Sequence, residues 1–104
     1  MKQPLLVAAA IIYNHEKVLL VKRARDPFKG YWCFIGGVGG FEQSSNPLDV
    51  VKMEVAGEIK CLFDPTFFTY SYNNFPSFNL KSVVLYYYGT IKGSIVVDLQ
   101  YVLE

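Results

Sequence analysis

The chain has 104 residues, enough for one compact domain with a modest core. Hydrophobic residues make up 52% and charged residues 18%, which excludes a disordered segment. Ten Lys and Arg against nine Asp and Glu leave a formal charge of +1. That balance excludes a protein that coats duplex nucleic acid through a broad basic face, while a local cationic pocket stays open. The two cysteines, Cys33 and Cys61, exclude a disulfide scaffold and lack paired metal-ligand spacing. As free thiols they fit a reducing cytoplasm.

The first apolar run, residues 5–13, is too short to span a bilayer and leads directly into charged sequence. No small-residue cleavage pattern follows a basic region, so we expect a cytoplasmic protein with no membrane partner. No internal repeat or low-complexity tract divides the chain, and residues 1–104 read as a single domain.

In chain order, residues 5–13 and 18–22 flank the polar break Asn14-His15-Glu16-Lys17 and predict a β-hairpin. Residues 23–30 carry loop chemistry in Asp26-Pro27 and Lys29-Gly30. Residues 31–35 are aromatic and extended. Gly36-Gly37-Val38-Gly39-Gly40 then predicts a loop, because each glycine brings backbone entropy that a strand or helix must remove.

A helix is predicted over Pro47–Ile59, capped by Ser45 or Asn46, with Pro47 in its first position and Asp49 in its first turn. Leu48, Val51, Val55 and Ile59 recur at helical spacing on one side. Residues 66–72, 81–91 and 94–97 are rich in Val, Ile, Thr, Tyr and Phe and predict strands. Asn73, Asn74 and Pro76 should separate the first two, and Lys92-Gly93 should turn the chain before the third. The order of elements implies an α+β fold: a mixed sheet with the Pro47–Ile59 helix packed on it.

Glu54 and Glu58 lie four residues apart, hence on one face of that helix. Like charges at this spacing destabilise a helix by about 0.2–0.5 kcal/mol. Both also sit in its C-terminal half, where the macrodipole disfavours negative charge. Neither has a basic residue four positions away. A divalent cation between them would explain the arrangement, and Mg²⁺ is commonly held by one or two carboxylates, waters and substrate phosphates. The plain alternative is a solvated helix face.

Trp32-Cys33-Phe34-Ile35-Gly36-Gly37 resembles the W-x-x-P-G-G entrance to the Nudix box, with Ile35 in place of proline. Met53-Glu54-Val55-Ala56-Gly57-Glu58-Ile59-Lys60-Cys61 is similar to the R-E-U-x-E-E-x-G-U half of that box. Met53 stands where the box has arginine, Gly57 where it has a glutamate, and Lys60 where it has glycine. Counting from Gly37, the box's first glutamate falls on Gln43, beside Glu42, and the stretch from Gln43 to Met53 is two residues longer than the pattern.

The resemblance to the Nudix hydrolases implies an α/β/α sandwich, and on that resemblance the closing helix of the fold is expected to be missing from residues 1–104. It implies hydrolysis of a nucleoside diphosphate linked to another moiety, by water attack on phosphorus. Mg²⁺ (or Mn²⁺) would be held by Glu54, Glu58 and the carbonyl of Gly37, with Glu42 or Gln43 supporting the site. Arg23, Gly36 and Gly37 are then the substrate-binding candidates. Catalytic roles would fall to Glu54, Glu58 and Glu42. The changes at Met53, Gly57 and Lys60 favour an alternative, a nucleotide-binding or regulatory module of the same fold with impaired turnover. Trp32, Tyr70, Tyr72 and Phe75 could stack on a base, but aromatic strands more often fill a core. Cys33 and Cys61 are expected to be small core residues.

Overall fold

The computed structural model describes residues 4–24, 28–37, 44–96 and, as backbone, 101–103. The strands are β1 (Leu5–Asn14), β2 (Lys17–Val18), β3 (Val21–Arg23), β4 (Trp32–Cys33) and β5 (Ile35–Gly37). After the helix α1 (Pro47–Ile59) come β6 (Leu62–Phe75), β7 (Leu80–Lys92) and β8 (Tyr101–Leu103). The large sheet runs β2-β1-β7-β6, with β5 also paired to β1, and a small sheet runs β4-β3-β8. Strands β1 and β7 are parallel while β5 and β6 pair antiparallel with their neighbours, so the large sheet is mixed.

The helix starts and stops for visible reasons. Asn46 accepts a hydrogen bond from the Leu48 N–H at 3.0 Å through its side-chain oxygen, and Pro47 occupies the first turn. At the far end Lys60 takes a left-handed conformation, φ 60°, and its N–H donates to the Ala56 carbonyl. Val51, Val55 and Ile59 are buried as the stripe predicted, Val50 joins them, and Leu48 packs against their edge. They meet Ala8, Ala10 and Ile12, alternate residues of β1, together with Ile35, Phe63 and Tyr87. Burying each large aliphatic contributes about 1.5–3 kcal/mol, so this contact anchors the helix that carries Glu54 and Glu58.

Four local readings of the sequence are corrected. Residues 18–22 do not form one strand: the chain leaves the hairpin after Val18, and Leu19 donates its N–H to the Ile12 carbonyl at 2.8 Å. Val21 then pairs with Cys33 in the small sheet, so the apolar run serves two sheets. Gly36 and Gly37 are strand residues, opposite Ala9 and Ala8. The reason is crowding, since a Cβ on Gly36 would overlap the Ala8 carbonyl oxygen and lie 2.9 Å from the Ala9 Cα. Positions 38–43 lie outside the described residues.

Asn73 and Asn74 do not end β6, which continues to Phe75 in register with Leu80. Asn73 bonds to neighbouring side chains instead of bending its own backbone, and the reversal falls on a 3-10 turn, Pro76–Phe78, closed by Asn79 at φ 49°. Residues 94–96 form no strand; Gly93, at φ 111°, turns the chain, and the Val96 N–H donates to the Ile59 carbonyl. Val97 lies outside the described residues. Tyr70 and Tyr72 are 66% and 56% exposed, because β6 reaches well past Phe63, its residue in the core.

Candidate functional site

The buried stripe fixes the rotation of α1 and leaves Glu54 and Glu58 half-buried on its flank. Strand β5 ends against the same flank. A Cβ on Gly37 would lie 2.8 Å from one carboxylate oxygen of Glu54 and 3.1 Å from the other. Only a glycine lets the strand approach the carboxylate this closely. One oxygen of Glu58 is buried.

These groups open onto a cleft of about 840 Å³. Its lining includes Gly36, Gly37, Glu54 and Glu58, joined by Arg23, Trp32 and Cys33 from the small sheet. The large sheet contributes Ala9, Asn73, Ser82 and Tyr86. A hollow of similar size, about 940 Å³, lies beside the β1–β2 turn. It brings one carboxylate, Glu16, among its described lining residues, so paired-carboxylate chemistry belongs to the first cleft.

The electrostatics of the cleft are read at Cys33. Burial pushes its thiol above the ordinary value, the charge of Arg23 pulls it back, Glu58 pushes it up again, and a hydrogen bond with Arg23 lowers it. Cys33 therefore sits within the field of both a cation and a carboxylate. Sequence reasoning placed it in the core; it packs against the core half-buried and also lines the cleft. Cys61 is buried as expected. The Lys22 ammonium stands 5.8 Å from the centre of the Trp32 ring, a cation–π contact that steadies the ring where it lines the cleft.

Among the described residues no group of three or more His, Cys, Asp or Glu converges to hold a metal. Two carboxylates that line one cleft, one of them against the Gly37 backbone, are still a donor set that fits Mg²⁺, which keeps waters and accepts phosphate oxygens. At Gly57 an added Cβ would meet nothing within 4 Å. Arg23, Gly36, Gly37, Glu54 and Glu58 thus share one cleft, while Glu42 and Gln43 lie outside the described residues. Trp32 and Phe75 line the cleft; Tyr70 and Tyr72 do not.

No protein-family model and no curated protein matches the chain. Solved structures do. A MutT NUDIX hydrolase from Burkholderia pseudomallei superposes with a TM-score of 0.87 at 22% identity, over 99% of this chain and 82% of that one. The chain has the Nudix fold. A NUDIX hydrolase from Nitrosomonas europaea gives a TM-score of 0.84 at 18% identity, over 98% of this chain and 71% of that one. The NUDIX domain of Shewanella oneidensis NrtR, solved in complex with ADP ribose, gives 0.76 at 21% identity, over 99% and 73%.

Within this Nudix fold, the left-handed Lys60 occupies the position where the box pattern has glycine, and it retains the conformation that glycine favours. Sequence reasoning missed Asn73, Ser82 and Tyr86. A period-two reading of β7 would have found two of them, because residues 82, 84 and 86 line the cleft while Tyr87 faces the core. Nothing in the pattern around Asn73 marked it as more than a turn residue.

Proposed function

We propose that the chain is a Nudix-type hydrolase that cleaves the diphosphate of a nucleoside diphosphate linked to another moiety, by metal-assisted attack of water on phosphorus. The observation that carries this reading is the approach of Gly37 to the Glu54 carboxylate in a cleft that also holds Glu58 and Arg23. Glu54, Glu58 and the Gly37 carbonyl would hold Mg²⁺ or Mn²⁺, which when bound polarises a phosphoryl oxygen and makes its bound water more acidic. Arg23 opposes the negative charge of the diphosphate, and its planar donor fork suits phosphate oxygens. Gly37 keeps a side chain out of the space between strand and helix, and Gly36 lines the cleft beside it where β1 leaves no room for one. Glu42 or Gln43 would add a further polar group. A nucleotide is the small-molecule partner, and the two free thiols fit a cytoplasmic location.

Gly57 favours a second reading, a Nudix-fold nucleotide-binding or regulatory module without turnover. Its absent carboxylate leaves less negative charge to hold a cation whose substrate brings several more. The likeness to an NrtR domain that binds ADP ribose fits an occupant with a diphosphate under either reading.

The test is mononucleotide or phosphate release from nucleotide sugars, dinucleotides and triphosphates with Mg²⁺ or Mn²⁺. Metal-dependent turnover that is lost in Glu58→Gln supports the hydrolase. Nucleotide binding without turnover supports the module.

A further inference from the structure

We infer that the cleft selects a nucleobase bearing an exocyclic amine, accepted by the side-chain carbonyl of Asn73; this rests on the nucleotide reading above. Asn73 on β6 lies opposite Ser82 on β7 and lines the cleft. Its amide nitrogen donates to the Ser71 hydroxyl at 3.1 Å and, more weakly, to the Ser82 hydroxyl at 3.4 Å. Ser71 in turn shares a hydrogen bond of 3.1 Å with the Tyr86 hydroxyl. A primary amide has two N–H donors and one carbonyl acceptor. In this arrangement the amide nitrogen faces both hydroxyls, which turns the side-chain carbonyl oxygen away from them. Among the described residues no hydrogen bond engages the Asn73 carbonyl oxygen, so it is the atom of this network left for an occupant.

The surroundings make that acceptor selective. Val7, Val84 and Leu80 also line the cleft, and Ser82 is buried at 7% exposure, so water competes poorly there. Phe75 lines the same region and packs edge-on against Phe28, with ring centres 4.9 Å apart, while Phe34 and Tyr86 form a second edge-on pair at 6.4 Å. Flat aromatic surfaces accept the face of any base, so stacking alone chooses none. A single directional acceptor does choose. An amine on adenine or cytosine satisfies it, whereas a carbonyl in the same place sets two acceptors against each other.

The placement suits a nucleotide. Gly37 on β5 and Asn73 on β6 are separated by three strand spacings, roughly 14 Å across the sheet, and by three residues, roughly 10 Å, along it. A nucleotide laid along the cleft with its phosphates toward Gly37 points its base toward Asn73.

The experiment measures binding in metal-free buffer through quenching of Trp32, the single tryptophan and a lining residue of the cleft. The probes are AMP, purine riboside 5′-monophosphate, which lacks only the amine, and IMP, which carries a carbonyl in its place. AMP should bind about 3- to 10-fold tighter than either, the range one neutral hydrogen bond commands. Asn73→Leu should abolish the preference, and Asn73→Asp, which keeps an acceptor, should retain it. Equal affinity for the three nucleotides in the unaltered protein overturns the proposal without any variant. A preference that survives Asn73→Leu, or is lost in Asn73→Asp, overturns it too. Failure of all three to bind overturns this inference, while failure of nucleotide sugars, dinucleotides and triphosphates to bind with Mg²⁺ overturns the nucleotide reading. Hydrolysis with no amine preference overturns this inference alone, whereas amine preference without hydrolysis supports it and favours the module.

Discussion

Gly37 and the Glu54 carboxylate lie too close for even a methyl group to fit between them, since a Cβ would stand 2.8 Å from the nearer oxygen. What yields to that methyl is the end of a flexible side chain, and the consequence is therefore chemical more than structural. Gly37→Ala should weaken Mn²⁺ or Mg²⁺ binding in calorimetry while shifting the denaturation midpoint little, by about 0.5 kcal/mol or less. Gly36→Ala meets backbone instead, at the Ala8 carbonyl and the Ala9 Cα. It should destabilise the fold by about 1–3 kcal/mol, because β1 must move. The reverse ranking would mean that Gly37 serves packing and not the carboxylate.

Gly57 offers the complementary experiment. Space is open around its missing side chain, and it lies within α1. Gly57→Ala should stabilise the protein by about 0.5–1 kcal/mol through helix propensity alone. Gly57→Glu should also strengthen divalent-ion binding, by adding a carboxylate beside Glu58. A gain in metal affinity from Glu and not from Ala locates the deficiency in the site. No gain from Glu would show that the box does not align here.

Lys60 holds a left-handed conformation at φ 60° and donates its ammonium to the Gly57 carbonyl at 2.8 Å on the exposed surface. A left-handed residue with a Cβ costs about 1–2 kcal/mol, more than an exposed hydrogen bond returns. Lys60→Gly should raise the urea midpoint by the equivalent of about 1 kcal/mol. A fall would show that the side-chain bond to Gly57 matters more than the backbone.

Tyr87 contributes to the loss of stability at alkaline pH. Burial raises its phenol above the ordinary value of 10.0. The neutral ring is thus favoured in the folded state, and the unfolded chain loses its proton first. The associated stability is complete below the unfolded value and is lost as pH rises through the folded one. Thermal melts between about pH 9 and 11 should show falling stability, and Tyr87→Phe should flatten part of the decline. An unchanged slope in the variant would assign the loss to other groups.

The sequence made some elements legible and hid others for physical reasons. Helix α1 was readable to its ends because Asn46, Pro47 and the Val51–Val55–Ile59 stripe are local signals that tertiary packing reinforced. Gly36 and Gly37 read as loop because entropy argues against glycine in a strand, whereas the deciding fact is the nearness of Ala8 and Ala9, close to thirty residues away in the chain. The pairing of Glu54 with Gly37 followed from chain order and the motif together. Asn73 escaped notice because its partner Ser82, and Tyr86 bonded to Ser71 beside it, acquire meaning only once β6 and β7 are in register.

The cleft is walled by two sheets that share no ladder. Arg23, Trp32 and Cys33 come from the small sheet, while Asn73, Ser82 and Tyr86 come from the large one. Any occupant that touches both walls acts as a crosslink the chain does not supply for itself. At a hundredfold excess over its dissociation constant, a ligand specific for the folded state adds about 2.7 kcal/mol to stability. The melting temperature of this protein is thus a direct gauge of what fills it. A thermal-shift screen of metabolites should rank ligands before any product is assayed.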